Sequence, residues 1–444
     1  MIINRILIEH VDVVALADGP RLRRDCSIAV DGSTIVGVGE VPAQFVATER
    51  VDGQGCLAMP GFFNAHCHAP MTLDRGLAED LPFDRWLNEK IWVAESALTE
   101  EDVYWGAALA ACEMIRAGIV GFADHYFWMD QVARLVEESG LKALLAWCFF
   151  GTGREHEVGH IDFETTRGFA QRWNHAAGGR IRTAIGPHSP YMCPPAVLRA
   201  AAAAAQALGI PVHLHLAESA GQVQTSRAKH GVSPVAHVAA NGILDGPTIA
   251  AHCIAVDDDD VALLARPQVT VAHTPKTYLK LAMGVTPLAR LQAAGVRIAL
   301  GTDGPASNSD LNLLEVMRLT GLLQKAAAHD AAAMPVDRLL RMATADGAAA
   351  LGFATSGQLV AGAAADLLLL DLSGPHWWPQ HDLLAGVVYA AHPGDVRDVL
   401  VDGRWLMRDR QLLTLDEKKI RDEAQRRALR MVVAPQNQVR TYAS

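Results

Sequence analysis

Short runs in which apolar and polar residues alternate open the chain: "ILIEHVDVVAL", "CSIAV", "TIVGVG" and "RVDGQGCLAM", each bounded by glycine or other turn formers. Period-two runs of this length predict strands, so residues 1–58 read as a small β domain. From Pro60 the rhythm changes. "EDVYWGAALAACEMIRAG" carries apolar residues at helical spacing and is followed by the strand-like "IVGFADHYF"; "MDQVARLVEESG" then leads into "LKALLAWCFF". The alternation continues through "RIRTAIGPHS", "AVLRAAAAAAQALG", "IPVHLHLAES" and "VRIALGTDG". Repeated strand–helix units of this size predict a parallel α/β protein that closes into a barrel over residues 59–354. Residues 355–415, with "SGQLVAGAAADLLLLDLSG" and "VVYAAHPGDVRDVLVDGRWLM", return to short strands. The simplest arrangement joins both chain ends in one small β-sandwich beside the barrel, and "TLDEKKIRDEAQRRALRMVV" predicts a charged helix within residues 416–444.

Composition narrows the setting. With 444 residues of which 50% are hydrophobic, the chain can bury a large core. A net charge of -10, without any basic and aromatic repeat, offers no general attraction to nucleic acid. The seven cysteines are scattered without a Cys-x-x-Cys pair, a usage suited to reduced thiols. No apolar run reaches the roughly 20 residues of a membrane helix, and the opening segment lacks a secretory pattern. The expectation is a cytoplasmic protein without membrane or nucleic-acid partners.

Candidate chemistry lies where predicted strands end. "PGFFNAHCH" places His66 and His68 one residue apart, on one face of a strand, with Cys67 on the other. "IPVHLHLAES" supplies His213, His215 and Glu218; "TIAAHCIAV" supplies His252, and "VRIALGTDG" supplies Asp303. A barrel gathers its working groups at the C-terminal ends of its strands. His66, His68, His215 and Asp303 together offer three imidazoles and a carboxylate to one divalent ion; nitrogen and oxygen donors suit Zn2+, with Fe2+ or Mn2+ chemically allowed. The glycine-rich "GTDGPAS" lacks the lysine of a phosphate-binding loop.

These stretches, with "PGFFNAHCHAPMTLDRGLAEDLPFDRWL", "GPHSPYMC", "HLAES", "AAHC", "GTDGPASNSDLNLLEVMR" and "MATADGAAALG", resemble the amidohydrolase superfamily in its cytosine-deaminase-like branch. The nearest resemblance is to 5-methylthioadenosine and S-adenosylhomocysteine deaminases. It implies a TIM-like (β/α)8 barrel, a homo-oligomer, and hydrolytic release of ammonia from an aminated heterocycle such as a 6-aminopurine nucleoside. The family's His-x-x-Glu spacing selects His215 with Glu218, leaving His213 to packing or to support of a ligand. By resemblance, His66, His68, His215 and Asp303 hold the metal; Glu218 and Asp303 move protons; His252 steadies the attacking water and the developing oxygen. Glu95 corresponds to a carboxylate that binds the ribose hydroxyls, His188 to a substrate contact, and Trp86 to an apolar wall beside the ligand.

Two departures qualify the substrate. The related pattern has an arginine, suited to a terminal carboxylate, where this chain has Trp147; Arg154 lies seven residues later as a possible replacement. In "HTPKTYLKLAMG", Thr277 and Tyr278 stand where relatives carry Ser-Asn, and Tyr278 reshapes the pocket floor. The alternatives are deamination of a free purine, pterin or aminotriazine, or an inactive metal-stabilised binding protein.

Overall fold

In the computed structural model of the protein, residues 4–16, 22–151 and 163–433 are described. Eight parallel strands form the central sheet: β1 (Phe62–Cys67), β2 (Ile119–Tyr126), β3 (Lys142–Phe149), β4 (Ile181–Pro187), β5 (Val212–Leu216), β6 (Thr248–His252), β7 (Val269–His273) and β8 (Arg297–Leu300). They are hydrogen-bonded in chain order, and beyond β8 the Asp303 N–H donates to the His66 carbonyl at 2.9 Å, drawing the last strand against the first. Nearly every residue of these strands is buried, as the continuous apolar runs anticipate for a sheet covered on both faces.

The helices begin where their sequences supply caps. Glu100–Arg116 starts at a reciprocal box in which the Thr99 side chain accepts from Asp102 N and the Asp102 carboxylate accepts from Thr99 N. Glu417–Val433 packs on this helix, tied by Arg427 to Asp102 at 3.0 Å.

The chain ends meet in a second unit, a nine-stranded and mostly antiparallel sheet. Arg5–Val14 pairs with Leu22–Asp31 and with Cys56–Pro60; Leu367–Asp371 joins Cys56–Pro60 from the other end of the chain and continues into Val396–Val401 and Arg404–Arg408. Ile6, Ile8, Val30, Leu367, Leu369 and Leu400 form a separate core there. Lys142, at the start of β3, binds this unit to the barrel: its ammonium lies 2.5 Å from Asp366 Oδ2 and 2.8 Å from Asp402 Oδ1, with only 5% of its side chain exposed.

One expected strand is a helix. Within the second β region, Leu383–Tyr389 is α-helical because the Asp382 side chain caps the N–H groups of Leu384 and Ala385. Leu383, Leu384, Val387 and Val388 form its buried stripe, so the apolar "VVY" belongs to a helical period. Among the described residues no helix is long and apolar enough to cross a membrane.

Candidate functional site

A cavity opens at the C-terminal ends of the barrel strands. His68 lines it from just beyond β1, His215 from β5, His252 from the end of β6 and Asp303 from the turn after β8, while His66, in β1, is fully buried against them. Asp303 and His252 both adopt left-handed backbone conformations, with φ of 67° and 79°. Such conformations are uncommon for residues with a Cβ and concentrate at functional sites.

Of the four donors singled out for a metal, His66, His68 and Asp303 form one close group, and His215 adjoins it through His68. Asp303 Oδ1 is 3.6 Å from His66 Nε2 and 3.3 Å from His68 Nε2, and His68 Nε2 is 3.2 Å from His215 Nε2. A tetrahedral ion with ligands at ~2.0–2.1 Å has ligand–ligand edges of about 3.3 Å. These separations bracket that value. The fit is also chemical: His66 Nε2 is buried and makes no hydrogen bond among the described residues. The outer nitrogens fix the ring orientations. His68 Nδ1 lies 2.6 Å from the His125 carbonyl and His215 Nδ1 lies 2.9 Å from the His188 carbonyl, so each Nδ1–H donates and each Nε2 keeps a lone pair. Burial pushes His215 well below the ordinary histidine range and keeps it neutral. Burial alone would raise Asp303, but His66 and His68 hold its carboxyl well below the usual range.

Glu218 lines the same cavity two residues beyond β5. Its backbone N–H donates to Gln222 Oε1 at 2.9 Å, and the Tyr191 hydroxyl donates to its carboxylate. Burial, with Asp303's charge adding, pushes its pKa up to about 7 against the lowering pull of Tyr191. His252 Nε2 lies 3.9 Å from Glu218 Oε2, while its Nδ1 is 3.1 Å from the Thr274 hydroxyl. Burial lowers His252 to about 3, so it is a neutral imidazole.

The expected substrate residues divide into groups. Glu95 lines the cavity and accepts a hydrogen bond from the Tyr126 hydroxyl at 2.5 Å. His188 also lines it, with its ring stacked on Phe150 at 4.7 Å. Trp86 belongs to the apolar wall. Trp147 instead packs edge-on against Phe169 at 5.5 Å and lies outside the lining. Tyr278 is likewise set back: its hydroxyl accepts from Thr274 N at 2.9 Å, behind His252. Arg154 lies outside the described residues.

Sequence reasoning missed three participants. His125 and Tyr126, at the end of β2, both line the cavity, and their place at a strand's C-terminal end was the available signal. Tyr191 had no spacing signal to mark it. His213, set apart from the ligands, places Nε2 2.8 Å from His66 Nδ1, fully buried beneath the cluster. Cys67 directs its thiol toward the Ala123 carbonyl at 3.4 Å and does not line the cavity.

The chain matches the amidohydrolase family model over residues 57–406. It is 44% identical to a 5-methylthioadenosine/S-adenosylhomocysteine deaminase of Pelotomaculum thermopropionicum, with 96% of this chain and 99% of the relative aligned. The corresponding protein of Desulforudis audaxviator is 43% identical over the same shares of each chain. The crystal structure of an adenosine deaminase from Xanthomonas campestris with bound zinc superposes with a TM-score of 0.92 and 34% identity, covering 97% of this chain and 99% of that one. A barrel with its donors at the strand ends, matched by relatives along nearly its whole length, makes this chain a member of the amidohydrolase family.

Proposed function

We propose that the protein is a divalent-metal-dependent hydrolytic deaminase of 6-aminopurine nucleosides, of the class of 5-methylthioadenosine, adenosine and S-adenosylhomocysteine. The observation that carries this reading is the placing of Glu218 and Glu95 on one cavity wall system, Glu218 beside the imidazole cluster and Glu95 among aromatic side chains suited to a nucleoside. His66, His68, His215 and Asp303 are the residues to hold the ion, and zinc suits their nitrogen and oxygen donors. When bound, the ion brings the pKa of a water molecule toward neutrality.

The chain's own groups supply the rest. Asp303, ionised in its cluster, accepts the proton of the attacking water. Glu218, with a pKa of about 7, carries a proton to the ring nitrogen next to the amino-bearing carbon, which weakens the aromatic resistance to attack. His252, neutral and 3.9 Å from Glu218, directs Nε2 at the developing oxygen. Asp303 then passes the water's proton to the departing amine, Glu218 takes the proton left on the new oxygen and regains its acid form, and ammonia leaves a ring carbonyl behind. Glu95, held by Tyr126, accepts from the ribose hydroxyls. The reading places the enzyme in the cytoplasm as a homo-oligomer; its seven free thiols suit a reducing compartment.

The test is ammonia release by the zinc-reconstituted protein across adenosine, 5-methylthioadenosine, S-adenosylhomocysteine, free purines, pterins and aminotriazines. Turnover of the 6-aminopurine nucleosides supports the proposal and ranks their 5′ substituents. Turnover of free heterocycles alone overturns the nucleoside assignment, and no turnover of any of them, with metal bound, overturns the enzyme reading.

A further inference from the structure

A second group of ligating side chains lies outside the cavity. It sits where the turn Pro375–Trp377, after strand Leu367–Asp371, meets the turn Pro393–Asp395, before Val396–Val401. His376 Nε2 is 3.0 Å from Asp395 Oδ2, and His392 Nε2 is 3.5 Å from Asp395 Oδ1. The imidazole centroids are 4.6 Å apart, and one donor atom from each of the three residues lies within 4.8 Å of the others.

Two features separate this cluster from histidines that merely share a surface. Asp395 is oriented in advance: its Oδ2 accepts the His392 backbone N–H at 2.9 Å, and the side chain is only 7% exposed. Each imidazole also lies over a glycine. A Cβ at Gly374 would come 2.5 Å from His376 Cε1, and one at Gly394 would come 3.0 Å from His392 Nδ1. A methyl at Gly374 would oblige the His376 ring to move, and one at Gly394 would press the His392 ring aside by a few tenths of an ångström.

We propose that His376, His392 and Asp395 form a second divalent-cation site, independent of the cavity and selective for a zinc-like transition ion. The nitrogen–oxygen separations of 3.0 and 3.5 Å bracket the edge of about 3.3 Å expected around a tetrahedral ion. Two imidazoles and one carboxylate favour such an ion over Mg2+ or Ca2+, which take oxygen ligands. The partly exposed histidines leave a fourth position to water. A bound ion ties the two turns together across the helix Leu383–Tyr389 that separates them in sequence. Arg410 donates to the carbonyls of Pro393 and Val396, each at 2.8 Å, and its charge opposes a cation at this turn. The second ion therefore binds more weakly than the one assigned to the His66 cluster.

The experiment is equilibrium dialysis of the full chain against zinc over a graded free concentration, with bound metal counted by atomic emission. Two ions per chain, taken up in two steps, are expected for the wild type. His392→Ala and His376→Ala should each lose the weaker step and keep the first ion together with catalytic turnover. Gly374→Ala, which retains all three donors, should weaken that step through displacement of the His376 ring. A wild type that never exceeds one ion, or a weaker step unchanged in both histidine variants, overturns the proposal.

Discussion

Replacing His213 tests whether a residue outside the cavity sets the metal affinity within it. His66 Nδ1 and His213 Nε2 are 2.8 Å apart, and both rings are fully buried. For His66 to offer a bare Nε2, its proton must sit on Nδ1 and be donated to His213 Nε2, which requires His213 to carry its own proton on Nδ1. His213→Ala removes the acceptor. A buried N–H left unpaired costs about 1–3 kcal/mol. The escape is a tautomer shift that puts the proton on His66 Nε2, the atom the ion needs. Either route is charged against metal binding, so zinc affinity should fall about 10- to 100-fold, in line with the usual effect of losing a partner that orients a metal-binding histidine. Water entering the vacated space moves the loss toward the lower figure. The assay is competition with a chromophoric chelator, run on wild type, His213→Ala and His213→Gln, whose amide oxygen restores an acceptor and part of the affinity. At saturating zinc the turnover should return nearly to wild type, because His213 does not line the cavity. A folded His213→Ala protein that binds zinc as tightly as wild type would refute the reasoning.

Glu218→Gln should retain its metal and lose about 10²- to 10⁴-fold in turnover; wild-type turnover in the variant removes Glu218 from proton transfer. With a pKa of about 7, Glu218 is half protonated at pH 7 and roughly a tenth protonated at pH 8, so rates should fall above neutrality, earlier still once a bound cation draws the value down. A rate that is flat from pH 6 to pH 9 contradicts this. The same raised pKa means that folding holds the proton, so Glu218's contribution to stability is lost as pH rises from about 4.5 through 7. Tyr126→Phe, which deprives Glu95 of a hydroxyl donor 2.5 Å away, should raise KM for adenosine about tenfold with little change in kcat. It should leave a 2′,3′-dideoxy substrate unaffected, and equal effects on both substrates would detach Glu95 from the ribose. Lys142→Met leaves Asp366, fully buried, without its ammonium partner and should cost about 3–5 kcal/mol in urea unfolding. An unchanged midpoint would mean that the pair contributes nothing to the junction of barrel and end sheet.

The barrel was legible because its strands are buried on both faces and its helices on one, so the hydrophobic period changes at each boundary. β2 and β3 are buried along their whole length, while Met129–Ser139 shows a buried stripe at Met129, Val132, Ala133 and Val136. The helix Leu383–Tyr389 was misread for a local reason. Its stripe is only two turns long, and a short apolar run such as "VVY" suits either period until the Asp382 cap is seen. For the candidate site, position at a strand's C-terminal end selected His66, His68, His215, His252 and Asp303; the last four line one cavity, and His66 lies buried against them. The pairing of His66 with His213 was not visible, because 147 residues separate them and the contact depends on how β1 and β5 face each other across the barrel.

The two departures from the related deaminases act through the walls of the cavity. Cys148 and Phe150 face the cavity, whereas Trp147, one position out of phase, faces the helix Phe163–Trp173. Tyr278 spends its hydroxyl on the Thr274 N–H, so its bulk supports the loop beneath His252. Neither side chain lines the cavity. In the described lining Met71, Trp86, Phe127, Leu281 and Met283 are apolar and no lysine or arginine is present. A thioether methyl sheds little hydration on entering such a wall. An amino-acid tail brings a carboxylate and an ammonium that must keep their water or find partners, and an uncompensated buried charge costs far more than an apolar contact returns. From the described lining we expect purine nucleosides to rank by the desolvation of the 5′ substituent, with the chemistry at the amino-bearing carbon common to them all.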